Sequence, residues 1–386
     1  MTRSILGRLR RFWLDVHLWI GVGLLVALIP LGISGSLLVW HDALDKTLNA
    51  ERFEITGPAA KPPSAYLAAA REAFGDQAVA ATLRMPAEPQ HPVTVVGRVK
   101  GPPGPGGRPR QLTAWIDPAT AKVLDVADIR QSFTGVMHRL HGSLLIPGQG
   151  VGRKVVGWLG WAMTLSCLTG LWLWWPRNGA VLKALRWRRS PSTLNNLHHM
   201  FGFWILVPLL VVSLTGVYIS FPQTSRALFG VAQPGQPPPR GPRPAGPPPL
   251  ALTNLGADEA AGLALRANPG AALAVVNLPT QGKAPEWRIE LSRPGQERPV
   301  QVKVSDLDGA VSAGRSERGG GGGGPDPLSR LMRQVHDGAD TPFVWQVLVF
   351  LTGIAPPLLG ITGTVMWLRR RHRRKAIRRG HDQAAA

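Results

Sequence analysis

The sequence of 386 residues is poor in three kinds of side chain: it has one cysteine, two tyrosines and few acidic residues. A single cysteine excludes a disulfide framework within the chain, a thiolate-ligated iron–sulfur cluster, a cysteine-rich zinc site and a CxxCH haem attachment. Because 23 Asp and Glu stand against 44 Lys and Arg, the formal net charge is +21. A charge of this size favours nucleic acid or a membrane surface as the partner.

Asp, Glu, Lys, Arg and His are all missing from four long runs, and this pattern favours the membrane. The runs are Leu18–Trp40, Val155–Pro176, Met200–Ser225 and Thr341–Leu368. Each is longer than the roughly 20 apolar residues that cross a bilayer core. The sequence therefore predicts an integral membrane α-helical protein with four transmembrane helices. The first run exceeds the apolar core of a signal peptide, which is about 7–15 residues long, so we interpret it as a retained anchor.

Basic residues are concentrated beside these runs. Four precede Trp13, five lie in the loop 177–197, and eight follow Leu368. With four spans, all three segments fall on one side, which the excess of Lys and Arg identifies as the cytoplasm. We therefore expect both termini to be cytoplasmic, the two long connections to lie outside, the lipid bilayer to be a partner and nucleic acid not to be one.

These expectations divide the chain into eight parts. They are the N-terminus with the first span (1–41), the first outer module (42–150), the second span (151–176), the basic loop (177–197), the third span (198–225), the second outer module with its Pro- and Gly-rich linkers (226–340), the fourth span (341–368) and the basic tail (369–386).

The spans also carry an internal duplication. His17 in the first span and His198 in the third each precede a glycine by 18 residues. The matching dipeptides are Ser34-Gly35 with Thr215-Gly216, and Thr169-Gly170 with Thr362-Gly363. We interpret the chain as two parallel helix–outer module–helix repeats. Related halves of membrane proteins commonly enclose a site at their interface.

Each outer segment is predicted to form a small α+β module. In the first, Ser64 is the expected N-cap of a helix. The predicted elements are helix Ser64–Phe74 and strands Ala81–Met85, Val93–Val99, Leu112–Ile116 and Lys122–Val126, and then helix Ala257–Ala267 and strands Leu273–Leu278, Glu286–Leu291 and Val300–Val304. Low-complexity stretches at 101–107, 234–249 and 319–324 predict flexible or extended linkers.

Histidines form two pairs in this arrangement. His17 and His198 lie at the cytoplasmic ends of the first and third spans, and His141 and His336 lie near the outer ends. A lone histidine at a membrane helix end is usually interfacial, but paired neutral imidazoles on facing helices can bind both axial positions of a b-type haem. Glycine four residues after His17 and His198 leaves room for a flat macrocycle. We therefore predict haem b, in two copies, with these four histidines as the iron ligands.

Four other residues are weaker candidates for the haem sites. His138 lies one turn before His141, His199 follows His198, and His41 lies at the outer end of the first span. Arg139 is near enough in sequence to neutralise a haem propionate.

Several motifs resemble those of the PepSY-associated transmembrane family over nearly the whole chain. They are His17-xxx-Gly21 with Ser34-Gly-Ser-Leu-Leu38, His141-Gly-Ser-Leu-Leu145, Trp172-Leu-Trp-Trp-Pro176, Leu197-His198 with Gly202, His336-Asp-Gly338, and the PepSY-like stretch Trp115–Leu124. The second module departs from the PepSY signature at Val304–Gly309, so its assignment rests on position and length.

The family includes iron-regulated inner-membrane proteins and haem-containing ferrisiderophore reductases. The resemblance implies a protein of the bacterial inner membrane with bis-His haem b, which reduces ferric siderophores or similar metal chelates in the periplasm. No dinucleotide fingerprint is present, so we expect a separate electron donor, either a cytoplasmic reductase or a quinol.

Two other functions stay open at this point. The chain could be a membrane-anchored PepSY binding or regulatory protein for a peptidase or cell-envelope partner, without redox activity. It could also be a transporter, although spans without Asp, Glu, Lys or Arg lack the usual ion relay.

Overall fold

The computed structural model describes residues 2–102, 104, 109–148, 150–176, 190–228, 230, 246–282, 284–296, 299–313 and 327–384. Most of the predicted basic loop, most of the Pro-rich linker and the whole glycine run at 319–324 lie outside the described residues.

The described residues form the following elements in chain order. They are α1 (Thr2–Val39), α2 (His41–Leu48), a 3₁₀ turn (Ala50–Phe53), α3 (Pro63–Phe74), β1 (Ala78–Arg84), β2 (Val93–Val99), β3 (Gln111–Ile116), β4 (Val123–Ala127), α4 (Phe133–Ser143), α5 (Val151–Trp174), α6 (Thr193–Ser220), α7 (Pro222–Leu228), α8 (Ala257–Arg266), β5 (Ala272–Asn277), β6 (Glu286–Ser292), β7 (Val300–Ser305), β8 (Val311–Ala313), α9 (Pro327–Asp337) and α10 (Phe343–Ala384).

Four helices in this part of the chain are long and apolar enough to cross a membrane: α1, α5, α6 and α10. They coincide with the four predicted runs, but their ends differ. α1 starts well before Leu18, and α10 continues through the basic tail, because Arg and Lys are good helix formers. α6 ends at Ser220 rather than Ser225, since Pro222 cannot continue the helical hydrogen bonds, and the short α7 starts there instead.

Small residues let the long helices approach closely in pairs. In the α1–α10 pair, a Cβ added to Gly32 would lie 2.1 Å from the carbonyl oxygen of Gly353. Ser36 Oγ donates a hydrogen bond of 2.7 Å to the Phe350 carbonyl across the same contact. Between α5 and α6, Gly160 packs against Val217. Close packing of backbones at small residues is the main source of helix association in lipid, where the hydrophobic effect is absent.

We therefore expect Gly32→Val to disrupt the α1–α10 contact. The added side chain meets backbone atoms, which cannot move aside as a flexible side chain could. We therefore expect the free energy of unfolding to fall by about 3 kcal/mol. The apparent Tm of the detergent-purified protein measures this. Gly23→Val is the matched control, because no atom lies within 4 Å of its added Cβ. Equal Tm values for the two variants would contradict the close approach.

The two α+β modules share one eight-stranded antiparallel sheet, with the strand order β4-β3-β2-β1-β5-β6-β7-β8. The junction is the β1–β5 pair, in which Leu83 lies opposite Val276. α3 and α8 cover one face, and the core between them and the sheet includes the fully buried Tyr66, Phe74 and Trp287. The predicted strands are found with ends shifted by a few residues, but neither β8 nor the junction was predicted.

Ser64 is not the N-cap of α3, so that prediction was wrong. The helix begins at Pro63, because proline already has the backbone angle of a first helical residue and has no N–H to leave unpaired. Ser64 instead contacts Asp258 in the first turn of α8, where the carboxylate accepts hydrogen bonds from the Ser64 hydroxyl and from its backbone N–H, the latter at 2.8 Å. The residue thus joins the two modules on the helical side of the sheet.

Two buried aspartates fasten the segment before each module helix to the sheet. Asp117 accepts hydrogen bonds from Thr56 N (2.8 Å), from Thr56 Oγ1 (2.6 Å) and from the Thr120 hydroxyl. Asp306 accepts from the backbone N–H of Asn254 and Leu255, at 3.0 and 3.1 Å. Asp306 lies within the segment where the sequence departs from the PepSY signature, yet its carboxylate holds the chain in a comparable way.

The pKa of Asp117 tests this interaction. Burial alone would raise it, but the hydrogen bonds from Thr120 and Thr56 stabilise the carboxylate and lower the pKa to about 2. Because the pKa of Asp117 is lower in the folded than in the unfolded state, its ionised carboxylate adds about 2 kcal/mol to the free energy of unfolding above pH 4. This contribution is lost as the pH falls toward 2.

Asp117→Asn should therefore lower the Tm of the purified protein at pH 6 and differ little from the parent protein near pH 2. Asp76→Asn is the control, because Asp76 is exposed and forms an ion pair of 3.5 Å with Lys100 at the surface. A Tm difference that is the same at both pH values would show that the charge of Asp117 is not what stabilises the fold.

Candidate functional site

The first histidine pair lies on α1 and on the first turns of α6, and is called the basic-side pair because Arg8, Arg10 and Arg11 precede His17 on α1. The ring centroids of His17 and His198 are 6.5 Å apart, and the ring planes are nearly perpendicular at 88°. The structure thus brings His17 and His198 together, although they are 181 residues apart in the sequence.

The second pair lies on α4 and α9, the short helices next to the sheet end of the bundle, and is called the sheet-side pair. The ring centroids of His141 and His336 are 6.1 Å apart with the planes at 47°. The two pairs are therefore alike in spacing although they are built on different kinds of helix, one long and membrane-spanning and the other short and amphipathic.

In each of the four rings, Nδ1 is hydrogen-bonded to an oxygen on a neighbouring helix. In the basic-side pair, His17 contacts Thr169 Oγ1 at 3.0 Å, and His198 contacts Thr362 Oγ1 at 2.9 Å. In the sheet-side pair, His141 contacts the Leu31 carbonyl at 2.9 Å, while His336 contacts the Val212 carbonyl at 3.0 Å and Thr215 Oγ1 at 3.1 Å.

These partners fix the protonation of the rings. A carbonyl oxygen can only accept, so Nδ1 of His141 and His336 must carry the proton. The threonine hydroxyls also act as acceptors, because Thr169 and Thr362 donate their own protons to carbonyls of the preceding turn. Nδ1 of His17 and of His198 therefore carries the proton as well. Each neutral ring therefore keeps a bare lone pair on Nε2, which is the form in which a histidine binds a metal.

A glycine lies against each ring. The Cε1 atom is 2.8–3.3 Å from where a Cβ would stand at Gly35, Gly170, Gly216 or Gly363. At the sheet-side pair the glycine is four residues after the accepting carbonyl, as in Leu31 with Gly35. Because the Cβ of residue i+4 normally covers the carbonyl of residue i on a helix, its absence lets the histidine reach that oxygen.

The spacing of both pairs fits two ligands of one metal centre. A bond from a metal to an imidazole nitrogen is about 2 Å, so imidazoles on opposite sides of one ion have centroids about 6.4 Å apart. Among the described residues, no group of three or more His, Cys, Asp and Glu could hold a metal ion. Two histidines alone leave most positions of an ion unfilled, whereas a tetrapyrrole supplies four nitrogens itself. A pair of imidazoles is the donor set that the iron of a tetrapyrrole would need from the protein.

The environment of the sheet-side pair favours uncharged rings. Burial lowers the pKa of His141 and of His336. In each ring the backbone hydrogen bond opposes this effect but is the smaller cause. Neutral imidazole is the state that iron requires, so the site does not need a proton to leave before a metal binds.

The weaker candidates lie close to these pairs but differ from them. His138 and His41 have ring centroids 5.8 Å apart, yet their Nδ1 atoms bond to the Thr134 and Leu38 carbonyls, four and three residues earlier in the chain. His199 lies beside His198 at 6.3 Å. Arg139 is exposed on α4. His138 and His41 thus bond to carbonyls within four residues of the chain, whereas the four paired rings bond to oxygens of another helix.

Sequence reasoning missed the residues that orient the rings. Thr169, Thr362 and Thr215 accept from the histidines, and the glycine after each makes room for a ring. The sequence pattern that marks these residues is a Ser/Thr-Gly dipeptide in every span, which by itself indicates only a duplication. Ser34 departs from the pattern, because its hydroxyl bonds to the carbonyls of its own helix instead.

The ring tautomers can be measured directly. In protein prepared without cofactor and labelled with ¹⁵N at histidine, we expect the four paired rings to carry the proton on Nδ1 and none on Nε2. Thr362→Val should weaken this preference at His198, where the Leu359 carbonyl would remain as the acceptor, and leave His17 unchanged. Protonation of Nε2 in any of the four rings of the parent protein would contradict the assignment.

Comparison with known families agrees with the architecture. The family described as PepSY-associated TM region matches residues 14–370, which is nearly the whole chain. No curated protein matches the sequence.

Proposed function

Since the chain belongs to the PepSY-associated transmembrane family, we propose that it is a b-type haem protein that carries electrons across the bacterial inner membrane to ferric siderophores or similar metal chelates. The observation that carries this proposal is the pair of matched histidine sites. Both have ring spacings that suit two axial ligands, and both have Nε2 left free by the cross-helix hydrogen bonds.

In this proposal the residues of the chain would bind the two haem groups and set the distance between them. Haem b supplies a reversible one-electron couple when bound between two imidazoles. His17 with His198, and His141 with His336, would hold one group each. Thr169 and Thr362 would keep the basic-side rings from turning.

The distance between the pairs suits a relay. Leu31, whose carbonyl holds His141, follows His17 by 14 residues on α1, which corresponds to about 21 Å of helix. Two groups at this spacing would divide the membrane crossing into shorter steps. One electron would then reduce each ferric ion outside, and the ferrous ion binds hard oxygen ligands more weakly, which would release the iron from its chelate.

The proposal includes the orientation of the chain in the membrane. We infer that both termini are cytoplasmic and that the sheet lies in the periplasm, because α10 ends in exposed basic residues that follow the span. Arg371 lies 5.6 Å from the Trp367 ring, as suits a helix leaving the membrane interface. The electron donor on that side would be a separate reductase or a membrane quinol.

Absorbance of the detergent-purified protein tests the proposal. We expect a Soret band that sharpens with dithionite, together with low-spin α and β bands. His17→Ala or His198→Ala should each remove about half of the haem, because each pair would hold one haem through its iron. A variant with both His141→Ala and His336→Ala should remove the other half. Pyridine haemochrome analysis measures the haem content.

His199→Ala and His138→Ala are matched controls that should keep full haem content. Unchanged haem in the paired variants would overturn the ligand assignment. A colourless protein, purified from cells supplied with haem precursor and still folded, would favour the alternative function, a membrane-anchored binding or regulatory protein without redox activity. In proteoliposomes, reduction of an external ferric chelate should require both pairs.

A further inference from the structure

Two helices carry exposed positive charge at the end of the bundle that holds the basic-side pair. On α10, the seven consecutive residues Arg369–Lys375 are all exposed, and six of them are Arg or Lys. On α1, Arg8, Arg10 and Arg11 are exposed as well. These ten residues are called the basic cluster.

The packing of α1 on α10 is antiparallel and keeps one register over its whole length. At one end Ser36 donates its hydrogen bond to the Phe350 carbonyl, and at the other end the rings of Trp19 and Trp367 have centroids 5.9 Å apart. From one contact to the other, both helices advance by the same 17 residues. The register therefore predicts which residues of the two helices stand at the same level beyond the tryptophans.

This register joins the two halves of the cluster and sets them beside the basic-side pair. Eight residues beyond the two tryptophans, Arg11 is level with Lys375. Arg371 follows Thr362, which contacts His198, by nine residues, or about 14 Å of helix. The two helices thus present one basic surface, directly beyond the histidines.

The charges of the cluster repel one another. Arg369, Arg370 and Arg371 are each followed by another basic residue four positions later, and like charges at this spacing destabilise a helix. Asp15 is the one acidic residue in the sequence segments 1–17 and 369–377. An acidic partner would relieve this repulsion.

Basic residues beside a span commonly orient the chain or bind anionic lipid headgroups. The geometry of the cluster extends beyond the reach of both roles. Trp367 suits the membrane interface, and Lys375 lies eight residues, or about 12 Å of helix, beyond it. The headgroup layer is only about 5–7 Å thick. Moreover, a helix that lies on a membrane has an apolar face, whereas every residue of Arg369–Lys375 is basic.

The place of the cluster beside the basic-side pair indicates an electron donor as the partner. A quinol is uncharged and reaches a protein from within the bilayer, so a basic surface in solution does nothing for it. A haem accepts one electron at a time. A soluble protein that gives single electrons and carries negative charge around its exposed prosthetic group would match both the position and the charge.

We propose that the basic cluster docks an acidic, soluble one-electron carrier protein with a flavin or an iron–sulfur centre. This inference rests on the proposed function, because it selects the soluble carrier over the quinol as the donor to the basic-side pair. One electron leaves the reduced carrier and one haem iron changes from ferric to ferrous. No bond forms between the proteins, and a flavin carrier exchanges its own proton with water. Opposite charges steer the encounter and raise the association rate.

Surface plasmon resonance of the full-length protein in phosphatidylcholine nanodiscs tests the proposal, with an acidic 2Fe–2S ferredoxin as the probe. We expect saturable binding, with an association rate that falls about tenfold between low and high salt. A variant with Arg373→Glu and Arg374→Glu should associate about tenfold more slowly at low salt. The same variant should gain binding to cytochrome c, a basic one-electron carrier, which damage to the fold would not produce.

Matched charge reversals locate the effect. A variant with Arg71→Glu and Arg110→Glu makes the same change of charge at exposed residues of the first module, and it should bind the ferredoxin as the parent protein does. A variant with Arg10→Glu and Arg11→Glu should slow the association as the α10 variant does, because the two helices form one surface. Normal binding by this α1 variant would overturn the shared surface.

A lipid site would give a different result. Hydrogen exchange of residues 369–375 should slow when the ferredoxin is bound in phosphatidylcholine nanodiscs. Protection that needs phosphatidylglycerol in the nanodisc, and that the ferredoxin does not produce, would overturn the proposal and assign the cluster to anionic lipid.

Failure of this inference can be distinguished from failure of the proposed function. A protein with full haem content that does not bind the ferredoxin would overturn the docking surface and leave the proposed function in place. A colourless protein that binds the ferredoxin through the basic cluster would keep the docking surface and remove the proposed redox function.

Discussion

The hydrogen bond from each paired histidine to an oxygen on another helix is the interaction on which the arrangement of the bundle depends. It fixes the orientation of the ring, sets which nitrogen is protonated and requires two helices to keep a defined distance. A hydrogen bond inside a membrane has no water to replace it, so a helix that moved away would leave a buried donor unpaired. Ring geometry and helix packing are therefore two aspects of one constraint.

Glycine connects that constraint to the sequence. At the rings, glycine removes the side chain that would cover the accepting carbonyl or occupy the place of the imidazole. At the α1–α10 crossing, Gly32 and Gly353 let two backbones touch. The same residue type thus serves the site and the bundle for one physical reason, which is that only a missing Cβ allows an outside group to reach helical backbone.

Much of this structure could be predicted from sequence, because it follows from patterns with a fixed period or length. The absence of charge over 22 or more residues identifies the spans, and alternating apolar residues identify strands such as Val93–Val99. Equal spacing to a glycine predicted the pairing of His17 with His198, and the similar distances of His141 and His336 from Gly170 and Gly363 predicted the second pair. Three features could not be predicted this way. The pairing of β1 with β5 joins segments nearly 200 residues apart. Ser64 bonds to Asp258 instead of capping its own helix. The threonines that orient the rings lie far in sequence from their histidines.

α1 and α6 each take part in both histidine pairs, and this has a mechanical consequence. α1 carries His17 and also the Leu31 carbonyl that holds His141, while α6 carries His198 and the Val212 carbonyl that holds His336. A slide of α1 along its axis would displace both contacts in the same direction. Pro30 on α1 and Pro208 on α6 lie between the two contacts of their helix, so a bend there is the one motion by which one site could be re-aligned while the other stays in place.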